Sequence, residues 1–507
     1  MSLISIQFFA FLALLLLIYY TIPSKWQWLV PPVFSILFYI SYGVGQIVMI
    51  LSAVLLTYGL GLGLNHVDDR FHALRSECKD KEARKAYKAE CTKWKKRMML
   101  AGLLLNFGIW AAFKFMHIFS FSPLGISIYT FIGAGYCIDV YRAKYRAERN
   151  LLRYCSFMMF FPHIVQGPFS RYDALGKTLF VRHAFDFDHL EQGMLRLLWG
   201  CFKKLVIADR MLVVINTILP KDSGYGGIYV FLLFLLLPIQ LYADFSGYMD
   251  IVAGVCHMMG ITLQENFMQP FFARSIDEFW RRWHITLGAW FKDYLFYPIS
   301  MSKIVQKFST RCKKICPPAM VRLIPSYIAL FFVWSATGLW HGSSPNFLLW
   351  GWINLFCIVS SMQLKPVYGK IRQRLHLSED NKCLHLAQMI RTFLIFGFAE
   401  MVSDVRSVHG IMMKCRSLFV EHNWRLLCRP MELFPGLEGR DLLLMAVGVL
   451  VMLLLDILKE RGLKPYDAVG RVPVLPRYVC YVILFYAVLL FGYAGAGAAG
   501  GFMYEQF

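Results

Sequence analysis

Apolar runs long enough to cross a bilayer recur along this chain, and no other feature constrains its fold as strongly. A hydrocarbon layer about 30 Å thick takes roughly 20 helical residues. Runs of that kind read as spanning helices at approximately 3–21, 27–44, 46–64, 99–117, 123–140, 154–170, 195–218, 226–243, 325–341, 345–362, 388–402, 441–457 and 477–499. Backbone polar groups inside hydrocarbon must be bonded within the protein, which favours helices for such runs. Composition agrees, with 57% hydrophobic and 17% charged residues, where soluble domains carry about 45–50% and about 25%. The chain therefore reads as an all-α polytopic integral membrane protein, multi-pass in the cell membrane, with 11–13 transmembrane or re-entrant helices. Leu3–Tyr20 lacks a basic leading segment, the first cation being Lys25, so it reads as the first spanning helix rather than a cleaved leader.

The net charge of +21 does not point to nucleic acid, because the cations occupy the gaps between apolar runs instead of one soluble face. Anionic headgroups suit them better. Residues 65–98 hold eleven Lys or Arg against six Asp or Glu, and Arg142, Lys144, Arg146, Arg149 and Arg153 follow. Both loops are expected in the cytoplasm, with the N-terminus outside. The basic block 303–322 is expected there too, so the next helix would carry His341 toward the outer face. The thirteen cysteines, Cys78 and Cys91 among them, are scattered through loops and apolar runs, which fits free thiols better than a disulfide framework. Cys312 and Cys316 lack a second pair of metal ligands. No metal site is expected.

One domain, 1–507, is expected, comprising N-terminal helices (1–245), a re-entrant and catalytic core (246–365) and C-terminal helices (366–507). From Gly247 to Pro298 the apolar pieces shorten, broken by Gly254, Gly260, Pro270 and Gly288. Broken helices at membrane depth survive where protein or a watery cavity covers them. Segment 403–440 is too polar to span, and reads as an extramembrane connector with an amphipathic piece at 408–420. Phe160–Pro168 carries proline and glycine where a straight helix would not.

Ionisable groups inside a membrane chain are functional candidates, and histidine exchanges protons near neutral pH. His66, His72, His183, His189, His376, His385 and His422 lie in polar loops or at helix ends, while His117, His163, His257 and His409 suit packing roles. His341 differs. It closes an apolar run after Trp340 and precedes Gly342, which leaves room for a substrate to approach; a helix-terminal histidine bonding free carbonyls is the alternative. His284 follows Arg281, Arg282 and Trp283 in an aromatic segment that also suits an interfacial anchor. Two adjacent cations favour its neutral ring. Asp244 and Asp250 sit among apolar residues and need partners, which Arg281, Arg282 or Lys203 and Lys204 can supply. No Gly-x-Ser-x-Gly elbow, phosphate loop, dinucleotide fingerprint or His-Glu-x-x-His motif occurs, so serine hydrolysis, ATP-driven transport and metalloproteolysis lose ground.

Several ordered blocks carry a resemblance. Tyr242–Tyr248, Glu265-Asn266-Phe267, Arg274 through Trp290, Asp293-Tyr294-Leu295 and Trp340-His341-Gly342 resemble the membrane-bound O-acyltransferase (MBOAT) family, in the bacterial branch that includes alginate O-acetylation. Pro123–Ser127, Asp139–Arg142, Phe160–Pro168 and Phe202–Asp209 extend the likeness to about residue 365. Relatives carry an aromatic-rich stretch ending in Phe-Phe-Arg-Ala after the late helix that here ends near Phe398-Ala399-Glu400, whereas this chain reads Met401-Val402-Ser403-Asp404-Val405, a departure on the acceptor side. The resemblance implies helices around a central tunnel, with a thioester donor entering from the cytoplasm and a hydroxyl acceptor from the other face. His341 matches the catalytic histidine and His284 the second active-site position. Trp340, Gly342, Asp244, Ser246, Arg281, Arg282, Trp283 and Asn266 fall in motifs that support the site or line the tunnel.

The function expected is transfer of an acyl group, acetyl first, from acetyl-CoA or an acylated carrier protein to a hydroxyl of an extracytoplasmic polysaccharide or cell-wall polymer. No tightly bound cofactor is implied. An extracytoplasmic esterase-like acetyltransferase would be the partner. The alternatives are D-alanylation of teichoic acid in the same fold, a proton-coupled transporter and a non-catalytic scaffold.

Overall fold

The computed structural model describes residues 1–77, 80–116, 123–220, 224–405, 407–463 and 472–493. Cys78, His117 and the far end of the run expected at 477–499 lie outside them. Among the described residues there is no strand, and eight helices are long and apolar enough to span: Val44–Leu74, Lys81–Met116, Ile228–Met258, Met320–His341, Pro345–Arg374, Lys382–Asp404, Gly439–Glu460 and Val474–Phe491. Ile6–Thr21 and Ile126–Tyr141 are shorter apolar helices. Val474–Phe491 buries none of its side chains in protein. A helix so apolar, with Arg477 as its one charged residue, and so exposed needs lipid around it. The chain is an all-α, multi-pass membrane protein.

Local sequence sets the boundaries. Asn381 caps Lys382–Asp404 by accepting from Leu384 N, and Ser275 caps Ile276–Arg282 by accepting from Glu278 N. Pro345 opens Pro345–Arg374, where its missing N–H costs nothing. Residues 65–77 and 81–98 of the basic stretch are helix rather than loop: the apolar helices on either side run on as Val44–Glu77 and Lys81–Met116, because Lys, Arg, Glu and Ala are strong helix formers. The piece expected to span at 154–170 is broken instead into Leu151–Met158 and Phe161–Ile164, with Pro162 opening the second. The expected span 195–218 changes to a π-helical turn at Lys203–Ala208. The connector holds the helix Val408–Val420 and short turns at Trp424–Cys428 and Pro430–Leu433.

Contacts gather into two compact units. The first comprises residues 1–194, 252–264 and 504–507, the second 195–251 and 265–503. Within the first, the rings of Phe8, Phe34, Phe38 and Phe161 pack around Phe11, and His163 is fully buried. Within the second, Ile276, Trp334, Trp350, Ile358 and Ala399 form a core that Trp280 completes. The twelve described cysteines are all free thiols.

The helix Ile228–Met258 does not stop at Gly247, where the sequence changes character. A β-carbon on Gly247 would stand 2.9 Å from Gly200 O, and one on Gly200 would stand 2.5 Å from Gly247 O. The two glycines let two helices touch through their backbones. Breaking starts only after Met258.

Candidate active site

His284 is placed by an irregular clamp rather than by a helix. It joins the short helices Ile276–Arg282 and Ile285–Phe291 in the left-handed region, with φ of 47°, a conformation that costs a non-glycine residue about 1–3 kcal/mol. The surroundings enforce it. Phe267 pairs antiparallel with Trp283, Met268 N donates to Arg282 O at 2.9 Å and Ile285 N to Asn266 O at 3.1 Å. The side-chain oxygen of Asn266 accepts from Thr286 N at 3.0 Å and from Thr286 Oγ1 at 2.8 Å, with His284 Nδ1 3.4 Å away. With the proton on Nδ1 facing that oxygen, Nε2 keeps its lone pair. Asn266 is the piece that holds the turn.

His284 is 4% exposed and lies outside the spanning helices. Burial pushes its pKa well below the usual histidine range, and nearby His341 lowers it further. The arginines expected to do this are elsewhere: Arg281 pairs with Asp277, and Arg282 with Glu278 and Glu460. Both point along polar rims, because a guanidinium finds cheaper partners there than beside a buried imidazole.

His341 ends the helix Pro318–His341 and is partly exposed. Its ring is packed by Trp340 at 4.8 Å between centroids, Trp350 at 4.7 Å and, parallel to it, Phe347 at 6.3 Å. Trp340 also lies 5.9 Å from His284. Gly342 does not leave space for a substrate. A β-carbon there would sit 2.1 Å from Phe347, so the glycine is what admits the Phe347 ring.

Two faces of the Ile228–Met258 helix separate the remaining candidates. Tyr242, Phe245 and Met249, spaced for one face, meet the clamp: Tyr242 lies 5.8 Å from the Phe267 ring, Phe245 crosses His284 at 4.8 Å and 87°, and Met249 Sδ takes the Asn266 amide at 3.3 Å. Asp244, Gly247 and Asp250 face the π-helical turn. Lys204 Nζ bonds Asp244 at 2.5 Å and Asp209 at 3.0 Å, all three buried. Lys203 Nζ bonds Ser246 Oγ at 2.7 Å and Asp250 at 2.6 Å, and Arg196 joins Asp250 to Glu265. Asp244 and Ser246 thus sit in buried ion networks beside the site, with cations from 196–204 instead of Arg281 or Arg282. Trp283 packs on Phe267, Phe279 and Phe396. Phe245, Phe347, Trp350 and Glu400 escaped the sequence reading; only the 242/245/249 spacing could have signalled one of them.

The arrangement brings one partly exposed imidazole and one buried neutral imidazole to a single indole, among groups able to exclude water. Such a site can move a proton and hold a polar reacting centre. Among the described residues no group of three His, Cys, Asp or Glu could hold a metal ion.

Residues 142–311 match the membrane-bound O-acyltransferase (MBOAT) family, a segment containing Asn266 and His284 but not His341. The chain is 30% identical over 363 residues to a probable alginate O-acetylase of Pseudomonas syringae pv. tomato, covering 68% of this chain and 62% of that protein. It is 26% identical over 311 residues to a peptidoglycan O-acetyltransferase of Helicobacter pylori, covering 53% and 56%. With a teichoic acid D-alanyltransferase of Bacillus subtilis the identity is 30% over 234 residues, covering 45% and 56%. Each match spans less than two thirds of the relative's own length.

Proposed function

Since this chain belongs to the membrane-bound O-acyltransferase family through residues 142–311, we propose that it transfers an acyl group from a cytoplasmic thioester to a hydroxyl of an extracytoplasmic cell-wall or exopolysaccharide polymer, directly or through a partner protein. Acetyl is the favoured group, because the similarity to the alginate O-acetylase extends over 68% of the chain against 45% for the D-alanyltransferase. The observation carrying the proposal is the convergence of His284 and His341 on Trp340.

The chemistry needs little more. A thioester is already activated, so His341 as general base takes the proton of the acceptor hydroxyl while its oxygen attacks the thioester carbonyl. His284 steadies the carbonyl side of the reacting geometry. When the carbon–sulfur bond breaks, the leaving thiolate recovers the proton from His341. Coenzyme A and a phosphopantetheine carrier are too charged to enter hydrocarbon, so only the acyl group crosses. An extracytoplasmic esterase-like acetyltransferase suits as the relay partner.

Protein reconstituted in liposomes, given radiolabelled acetyl-CoA or carrier-bound D-alanine on one side and polymer fractions on the other, tests this. The expected result is polymer acetylation with free coenzyme A released in step. Label from D-alanine alone would replace acetyl with D-alanyl, and solute flux without label transfer would overturn the proposal.

A further inference from the structure

We infer that Glu400 is a positioning residue for His341, acting through the indole of Trp350. This rests on the reading of His341 as the general base. Trp350 is 2% exposed and meets the His341 ring at 4.7 Å with the planes 64° apart, edge to face. On its other sides Trp280 and Trp334 stand at 5.5 and 5.9 Å. The carbon framework of the indole is therefore packed by rings, and its N–H needs a polar partner. Glu400 supplies one from the helix Lys382–Asp404, accepting from Trp350 Nε1 at 2.9 Å.

The setting makes this carboxyl unusual. Phe396, Ala399 and Met401 around it are fully buried, and Glu400 itself is 7% exposed. A carboxyl so placed is unfavourable unless its hydrogen bond is used. Ring packing alone permits more than one rotation of the Trp350 plane about its long axis. The bond to Glu400 selects one, and the edge presented to His341 follows from it. Glu400 does not touch the reacting atoms; it fixes the wall against which the imidazole rests.

The test compares Glu400→Met, Glu400→Gln, Trp350→Phe and the Glu400→Met/Trp350→Phe pair in the full chain, by steady-state acetyl transfer and by the carbethoxylation rate of His341 mapped on peptides. Glu400→Gln keeps an accepting oxygen and should retain most of the transfer rate. Glu400→Met and Trp350→Phe should each lower kcat by roughly 10-fold to 10²-fold with little change in KM, should alter His341 carbethoxylation alike, and should not add in the pair. An unchanged kcat and His341 reactivity in Glu400→Met, or equal losses in the presence and absence of the Trp350 indole, would overturn the inference. The carbethoxylation arm reads the imidazole without requiring transfer: a wild-type chain that moves no acyl group, yet shows the shift, sinks the proposed activity while this inference stands. If Glu400→Met does not fold, Glu400→Ala with and without Trp350→Phe gives the same decision, since the loss at 400 must become silent once the indole N–H is gone, and an unchanged kcat and His341 reactivity in Trp350→Phe overturns the inference by itself.

Discussion

The Trp340 indole stands between two histidines that come from different parts of the chain, 5.9 Å from the ring of His284 and 4.8 Å from that of His341. One is buried and held in a strained turn; the other closes a long helix. Their common wall makes the site a unit, so Trp340→Leu should leave the helices folded yet lower acyl transfer by about 10-fold or more, since small misplacements cost that much. Circular dichroism with transfer rates checks it.

Asn266 should matter to stability as well as to rate. Its oxygen satisfies both the backbone N–H and the hydroxyl of Thr286. Asn266→Ala removes that shared acceptor, at about 1–3 kcal/mol for a buried hydrogen bond left unmade, and frees the His284 turn. A lower melting temperature together with reduced kcat is the expected pair of results; a wild-type melting temperature would show that the clamp is held by other bonds.

Burial and His341 keep His284 neutral in the folded chain, while the unfolded chain titrates it near pH 6.5. Below that pH the unfolded state therefore binds a proton the folded state refuses, so stability falls as pH drops, by up to about 1.4 kcal/mol per unit. His284→Gln should flatten this part of the curve. Thermal melting from pH 7 to 5 measures it, and identical slopes for both proteins would contradict it.

Much of this was legible beforehand, and the misses have physical causes. Helical class and the two histidines follow from hydrophobic runs and residue chemistry, while Asn266 is legible only through the family resemblance. Lys203 and Lys204 are among the partners the sequence offers Asp244 and Asp250, but preferring them to Arg281 and Arg282, and adding Arg196, depends on two helices approaching through Gly200 and Gly247. Gly342 suggests room for substrate, but the space belongs to Phe347, whose packing no spacing rule reveals. Trp350 and Glu400 lie on separate helices, 50 residues apart. The spans at 46–64 and 99–117 are legible, but their helical continuation into the basic stretch 65–98 is not, because its charge density reads as loop although Lys, Arg, Glu and Ala favour helix.

Lys204 offers a test of the network beside the site. It is the buried cation between Asp244 and Asp209, and removing one partner of such a set strands buried charge at about 3–5 kcal/mol. Lys204→Met should therefore lower the melting temperature sharply or abolish expression, and adding Asp244→Asn should recover part of the loss. No recovery would mean that the two side chains are not energetically coupled.

Gly342→Ala should drive the Phe347 ring from its place against His341, lowering transfer more than stability. Phe347→Leu, a smaller and flexible side chain, should restore part of the rate in the same chain. Transfer assays on the single and paired variants decide the matter.

The most direct measurement is acetyl transfer by the reconstituted wild-type chain and by His341→Ala, matched for folding by melting temperature. Loss of a positioned general base removes about 10²–10⁴-fold, so the variant should bind donor, stay folded and leave the acceptor almost unlabelled. Equal labelling of the acceptor by the two proteins would contradict the role given to His341 and, with it, this account of the site.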